Sequence, residues 1–217
     1  MNESQTQYLD VIDNALTEAK KQGASAAEVA MSVETGLSVT ARLGDVETLE
    51  YNHDKGLGIT VFMGQQKGSS STSDFSPSAI REAVAAACSI AKYTAEDVYS
   101  GLADKALMAW DYPDLALNYI WDLESEQALE LAIECEQLAR QYDQRITNSE
   151  GATVASHSGV HFYGNSHGFS GGYPTTRHSI SCSVIGQDGD IMQRDYWYTA
   201  ARNHETLESA KSVGEKA

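Results

Sequence analysis

The chain is short of positive charge. Its 217 residues hold 15 lysines and arginines against 31 aspartates and glutamates, a formal charge of −16. Such a surface repels phosphate backbones and anionic lipid, which argues against direct nucleic-acid or membrane binding. Long apolar runs are missing too. No window approaches the roughly 20 apolar residues of a membrane span. The amino end, MNESQTQYLDVIDNA, has neither the basic head nor the apolar core of a secretory signal. Cysteine is scarce, and Cys88, Cys135 and Cys182 form no CxxC pair. Cys88 and Cys135 fall on apolar helical faces and read as buried free thiols. Together these absences predict a cytoplasmic protein. No Walker A sequence occurs. Gly56-Leu57-Gly58 lacks the third glycine of a dinucleotide loop and reads as a turn before a strand.

The apolar pattern that is present changes period along the chain. Tyr8, Val11, Ile12, Ala15, Leu16 and Ala19 recur at helical spacing, and Gly23 closes that helix. Val29, Met31 and Val33 then alternate with small or polar residues, as do Leu37, Val39 and Ala41, and Leu57 to Met63. These are half-buried strands, with turns expected at Gly36 and at Gly44-Asp45. The polar stretch from Gln65 to Ser73 suits an edge strand or a loop. Ser76-Pro77 starts a second helix: the serine caps free N–H groups, and proline lacks a donor only where none is needed. A third helix is expected from Ser125 to Tyr142. Strands return at Thr153–Tyr163, Ser179–Ile185 and Ile191–Thr199, with a hairpin turn at Gln187 to Asp190 and a short helix near Glu205. Residues 96–121 are irregular, and a subdivision near 100–123 is compatible with the length. Helix, strands, two helices, strands is an α+β order. It predicts a largely antiparallel sheet with helices packed on one face, a two-layer sandwich.

The segment from Arg145 to Ser179 is rich in glycine and holds four of the six histidines. It reads as strands joined by tight polar turns, where sites are commonly built. His157 and His161 have the four-residue spacing of a zinc-peptidase helix, but the glutamate of HExxH is missing and the local pattern is strand-like. On a strand the two would lie about 13 Å apart. Zinc ligands must each reach within about 2 Å of one ion. The pair therefore cannot chelate jointly. His204-Glu205 also begins like HExxH, but no second histidine follows. Gly164-Asn165-Ser166-His167-Gly168 matches G-x-S-x-G, and Asp188, Asp190 or Asp195 followed by His204 would complete a Ser, Asp, His order. The elbow needs a helix directly after its serine, and Phe169-Ser170-Gly171-Gly172-Tyr173-Pro174 cannot supply one. Tyr196-Trp197-Tyr198 alternates faces on a strand and reads mainly as packing. Arg177 and His178, beside a Gly-rich turn, could hold a carboxylate.

These residues include YNHDKGLGITVF with KGSSSTSDFSP, AKYTAEDVYSGLADK, RITNSEGA with YGNSHGFSGGYPTTRHS, and GDIMQRDYWYT. In this order they resemble the amino-terminal part of the PmbA/TldD family, also described as modulators of DNA gyrase and peptide-maturation proteases. The NSHGF and RDYWYT segments resemble the PmbA (TldE) branch more than the TldD branch. The resemblance implies a PmbA/TldD N-terminal-domain-like fold over residues 1–217 and a cytoplasmic heterodimer that removes leader or terminal segments from peptides. It puts the zinc, which polarises the scissile carbonyl and activates water, on a TldD-type partner. No cofactor, metal ligand or catalytic residue is carried over to this chain. Family members are roughly twice as long, well above a single small domain, so the C-terminal domain with the channel is expected to lie outside these residues. Within this chain, peptide contact is expected from Asn165, Ser166, His167 and Arg177 on the Gly-rich turn, and from Tyr196 and Tyr198 if a strand edge receives an extended peptide. A self-sufficient serine hydrolase using Ser166 and a pure assembly domain stand as the rival readings. A homo-oligomer preceding the heteromer is left open.

Overall fold

The computed structural model describes residues 3–217. Helix α1 (Glu3–Lys21) is followed by strands β1 (Ala26–Arg42), β2 (Asp45–Met63) and β3 (Gln66–Thr72), then helix α2 (Pro77–Ala91). A long connection holds one 3-10 turn, Lys105–Leu107, and leads to α3 (Ser125–Gln141). Strands β4 (Ile146–Asn165), β5 (Ser170–Asp188) and β6 (Ile191–Ala201) precede a 3-10 turn, His204–Thr206, and helix α4 (Ala210–Lys216). The strand order is β3-β2-β1-β4-β5-β6, and the α+β class expected from the periodicity is what the chain adopts. The β2–β3 and β5–β6 pairs are antiparallel. Gln66–Thr72, left open between edge strand and loop, is an edge strand.

Two compact units divide the chain. One comprises the segment ending at Val33 with Asp54–Ala116 and Val160–Tyr173; the other comprises Glu34–His53, Leu117–Gly159 and Pro174–Ala217. In the first unit α1 and α2 lie on one face of the strands. Ile12, Ala15 and Ala19 of α1 and Ile80, Val84 and Cys88 of α2 meet Val29 and Met31 of β1 and Leu57, Ile59 and Val61 of β2. Fully burying a side chain the size of Ile12 or Leu57 contributes about 1.5–3 kcal/mol. Ser76 caps α2 by accepting from the Ala79 amide, and Pro77 takes the first helical position. Gly68 of β3 lets α2 approach, because a Cβ there would stand 2.1 Å from the Ala87 carbonyl oxygen.

In the second unit α3 and α4 cover one strand face. Ala128, Ala132, Cys135 and Ala139 of α3 and Val213 of α4 pack on Leu37, Val39, Val154, Ile180 and Val184. The small residues on α3 and Gly214 on α4 allow a close crossing, since a Cβ on Gly214 would meet the Cys135 carbonyl oxygen at 2.3 Å. All three cysteines are buried free thiols.

Three turn expectations need correction. Gly36 lies inside β1, where the His157 ring occupies the place of its missing side chain; a Cβ would stand 2.0 Å from the ring Nδ1. Gly56 and Gly58 also lie inside a strand, β2, and neither has positive φ. The Arg145–Ser179 segment is two long strands with one short turn, because glycines 164, 171 and 172 are accommodated in extended backbone. The β1–β2 turn falls on Leu43-Gly44, both at positive φ, as a two-residue hairpin with right-handed strand twist requires.

Candidate functional site

The first unit has one strand face without helices. Its residues alternate with the core residues: Glu28, Ala30 and Ser32 on β1, Gly56, Gly58 and Thr60 on β2, and His161 and Tyr163 on β4. Most are small, so the strands cannot fill the space above themselves. Larger groups stand around it. Tyr112 and Leu115 come from the connection after α2, Phe169 from the β4–β5 turn, and Tyr173 from β5, its ring 5.5 Å from that of His161. The result is an apolar trough of about 660 Å³, within the size range of ordinary ligand sites. Tyr112 is fixed from below, since its hydroxyl accepts from the Gly172 amide at 3.3 Å and a side chain on Gly171 would collide with its ring.

A polar chain runs along one end of this face. The Tyr163 phenol, raised above its ordinary value chiefly by burial, donates to Glu28 Oε2 at 2.9 Å. Asn165 Nδ2 donates to the Tyr163 oxygen at 3.3 Å and to Met108 Sδ at 3.2 Å. Asn165 is therefore engaged inside the fold, only 1% exposed. Its Oδ1 accepts from the His167 amide and its carbonyl from the Gly168 amide, each at 3.0 Å, which builds the β4–β5 turn. Gly168 completes that turn at φ +89.

Ser166 is pinned to β1: its amide donates to the Ala27 carbonyl at 2.9 Å, and its Oγ accepts from the Ala27 amide at 3.0 Å. His167 Nε2 sits 3.1 Å from the Ala103 carbonyl oxygen. No helix follows Ser166, because β5 begins at Ser170, and neither imidazole nor carboxylate hydrogen-bonds to its Oγ among the described residues. The nucleophile-elbow geometry is thus not formed. A second depression of about 630 Å³, lined partly by Asp13, Lys20 and residues 165–168, adjoins this turn.

The other three expected contact residues belong to the second unit. Arg177 is exposed. Tyr196 and Tyr198 stand 55% and 58% exposed on β6, stacked with centroids 6.4 Å apart, opposite Ser183 and Ser181 of β5. Trp197 points the other way, its indole over the Lys216 ammonium. His178 is buried. Its Nε2 donates to the Tyr119 carbonyl at 2.8 Å, its Nδ1 lies 3.0 Å from Ser156 Oγ, and Trp121 meets it edge-on. Burial holds the imidazole below its ordinary pKa. So the six expected contact residues divide between the units, three in each. Sequence pattern alone does not mark Gly56, Gly58, Tyr112 and Glu28 as site residues; the signal for the first two is a glycine pair two apart between apolar strand positions.

The sequence matches the model described as PmbA/TldA metallopeptidase domain 1 over residues 27–91 and the PmbA/TldA metallopeptidase central domain over 118–217. The protein called metalloprotease PmbA in Escherichia coli O157:H7 is 45% identical over 212 residues, covering 98% of this chain and 47% of that protein. This chain belongs to the PmbA/TldD family. A PmbA homolog from Haemophilus influenzae is 54% identical over 197 residues, 91% of this chain and 44% of its own length. The chain thus spans about half the length of these PmbA relatives. Two solved structures share the fold. One is a protein from Bacteroides thetaiotaomicron described as a modulator of DNA gyrase (TM-score 0.88, 24% identity, 97% of this chain and 48% of that one). The other is TldE from Thermococcus kodakarensis (TM-score 0.69, 14% identity, 95% and 46%).

Among the described residues, no three His, Cys, Asp or Glu side chains converge in a way that could hold a metal ion. The described residues do not fit the metal that the family name implies. No helix among the described residues is long and apolar enough to cross a membrane.

Proposed function

We propose that this chain is the substrate-holding part of a PmbA/TldE-type subunit, which binds peptide and works with a TldD-type, zinc-bearing partner that cuts it. The observation that carries the reading is the apolar trough over Gly56 and Gly58. A site of this size, walled by aromatic rings with hydroxyls at their ends, suits side chains of an unfolded peptide. What the chain's own residues contribute is position. The strands supply a rigid floor, Tyr112 and Tyr173 exclude water from the bound side chain, and the turn at Asn165 keeps Phe169 in place. The PmbA relatives support the peptidase assignment for the family, and the removal of leader or terminal segments is the activity proposed for the assembled pair.

The test is metal content together with peptidase activity, taken for this chain alone and after mixing with a TldD-type subunit. Cleavage is expected only in the mixture, with the metal on the partner. Cleavage by this chain alone, with one tightly bound metal per chain, would overturn the division of roles.

A further inference from the structure

Most glycines of this protein have a local reason to be glycine. Gly168 and Gly189 need positive φ. Gly68 and Gly172 would drive a side chain into backbone at 2.1 and 2.6 Å. Gly56 and Gly58 have neither reason. A Cβ on Gly56 would meet nothing within 4 Å, and one on Gly58 would meet only the Ala30 carbonyl oxygen at 3.8 Å, an ordinary contact. Glycine weakens the interior of a strand and often marks a place where something else approaches the backbone. The space these two residues leave open is the floor of the trough.

A smaller depression of about 230 Å³ adjoins the trough, sharing Ala30, Gly58 and Tyr163 with it and adding Glu28. The Glu28 carboxylate accepts from the Tyr163 hydroxyl and has no cationic partner among the described residues. On β1, Glu28, Ala30 and Ser32 follow one another at about 6.7 Å intervals along one face. An extended peptide spaces its alternate side chains by the same distance. The acid and the apolar trough therefore stand one such interval apart. A carboxylate beside an apolar site in a chain of charge −16 complements a cation.

We infer that this face takes an extended peptide carrying a bulky apolar side chain and, two residues away, a cationic group. The apolar side chain fills the trough over Gly56 and Gly58, and the cation meets Glu28. The inference rests on the peptide-binding reading above and adds the class of peptide. The volume suits one or two large side chains rather than the broad patch of some 800 Å² per partner that a stable dimer needs.

The test is calorimetric titration of this chain with the blocked heptapeptide Gly-Ser-Phe-Ser-Lys-Ser-Gly, with a counterpart carrying alanine for phenylalanine, and with one carrying glutamate for lysine. Binding at least ten-fold weaker to the alanine peptide and at least five-fold weaker to the glutamate peptide is expected. Gly58→Val should weaken the parent peptide at least ten-fold with an unchanged or raised melting temperature, since a β-branched residue suits a strand. If Gly58→Val melts lower, Gly58→Ala carries the same measurement. Glu28→Gln should cut the lysine-over-glutamate preference below two-fold and keep the phenylalanine-over-alanine preference. Equal affinity for all three peptides, or unaltered binding by a folded Gly58→Val chain, overturns the inference. Self-association of the chain that Gly58→Val abolishes also overturns it, because the occupant is then a second copy. No binding of any heptapeptide overturns it as well. Cleavage assays of unrelated peptides with the TldD-type subunit, run in parallel, separate that result from failure of the functional reading.

Discussion

Glu136 of α3 is fully buried, and its two carboxylate oxygens accept from the amides of Leu43 and Gly44 at 2.7 and 3.0 Å. Those amides belong to the β1–β2 turn, where Leu43 holds a φ of +55 that a leucine rarely adopts. Glu136→Gln keeps the shape of the side chain and removes half of its accepting capacity. The amide oxygen can serve one turn N–H, while the amide nitrogen then faces the other N–H, donor against donor. A hydrogen bond to a charged acceptor contributes about 1.5–3 kcal/mol, and a stranded buried donor costs a comparable amount. Relief of the desolvated charge offsets part of this. A net loss of about 2–3 kcal/mol is expected, which at this chain length lowers the melting temperature by roughly 5–10 °C. Thermal melts followed by circular dichroism measure it. Glu130→Gln, an exposed change on the same helix, should shift the melt by less than about 1 °C. Faster amide exchange at Leu43 and Gly44 in the Glu136 variant would locate the effect in the turn. Melts of Glu136→Gln and wild type that superimpose would refute the account of the carboxylate as the clamp on this hairpin.

Two further outcomes follow from local geometry. Because burial depresses the His178 pKa below the ordinary histidine value of about 6.5, the unfolded chain binds the proton first as pH falls. This group's contribution is thus complete above about pH 6.5 and is lost as pH drops through the lower folded value. Melting temperature recorded from pH 7.5 to 5 should fall less steeply for His178→Gln than for wild type, and parallel curves would count against the assignment. Gly68→Ala places a methyl 2.1 Å from the Ala87 carbonyl oxygen and should cost about 1–3 kcal/mol by overpacking. Gly36→Ala meets only a movable His157 ring and should cost less; urea titrations giving the reverse order would contradict this.

The elements that periodicity located well are those whose buried face is continuous. Ile12, Ala15 and Ala19, or Ile80, Val84 and Ala87, meet a core along their whole length, so the 3.6-residue repeat is uninterrupted. The Ser76-Pro77 start was legible because capping is local chemistry. Strand lengths were underestimated for a physical reason. The first eleven residues of β2 are exposed on both faces, and an element that buries nothing leaves no alternation to detect. The two-unit organisation was also out of reach of linear reading, because each unit is assembled from three separate stretches.

Glycine shows why the site was only partly legible. The same residue serves three physical ends here: positive φ at Gly168, close backbone approach at Gly68, and open space at Gly56 and Gly58. A sequence registers all three as one letter, and near a strand start the turn is the commonest meaning. The distinction depends on what a Cβ would touch, which is a property of residues far away in the chain: Ala87 and Ala91 for Gly68, Tyr112 for Gly171, and nothing for Gly56. The Gly-rich block around Asn165 concentrates histidine, serine and asparagine, residue types from which polar sites are built. Its polar groups are consumed in holding a turn, with Asn165 bonded to Met108, Tyr163 and His167 and Ser166 to Ala27. Polar residues that satisfy one another have little capacity left for a ligand. The face with unused capacity is the one floored by residues too small to fill the space above themselves, Ala30, Gly56 and Gly58, with the Glu28 carboxylate beside it.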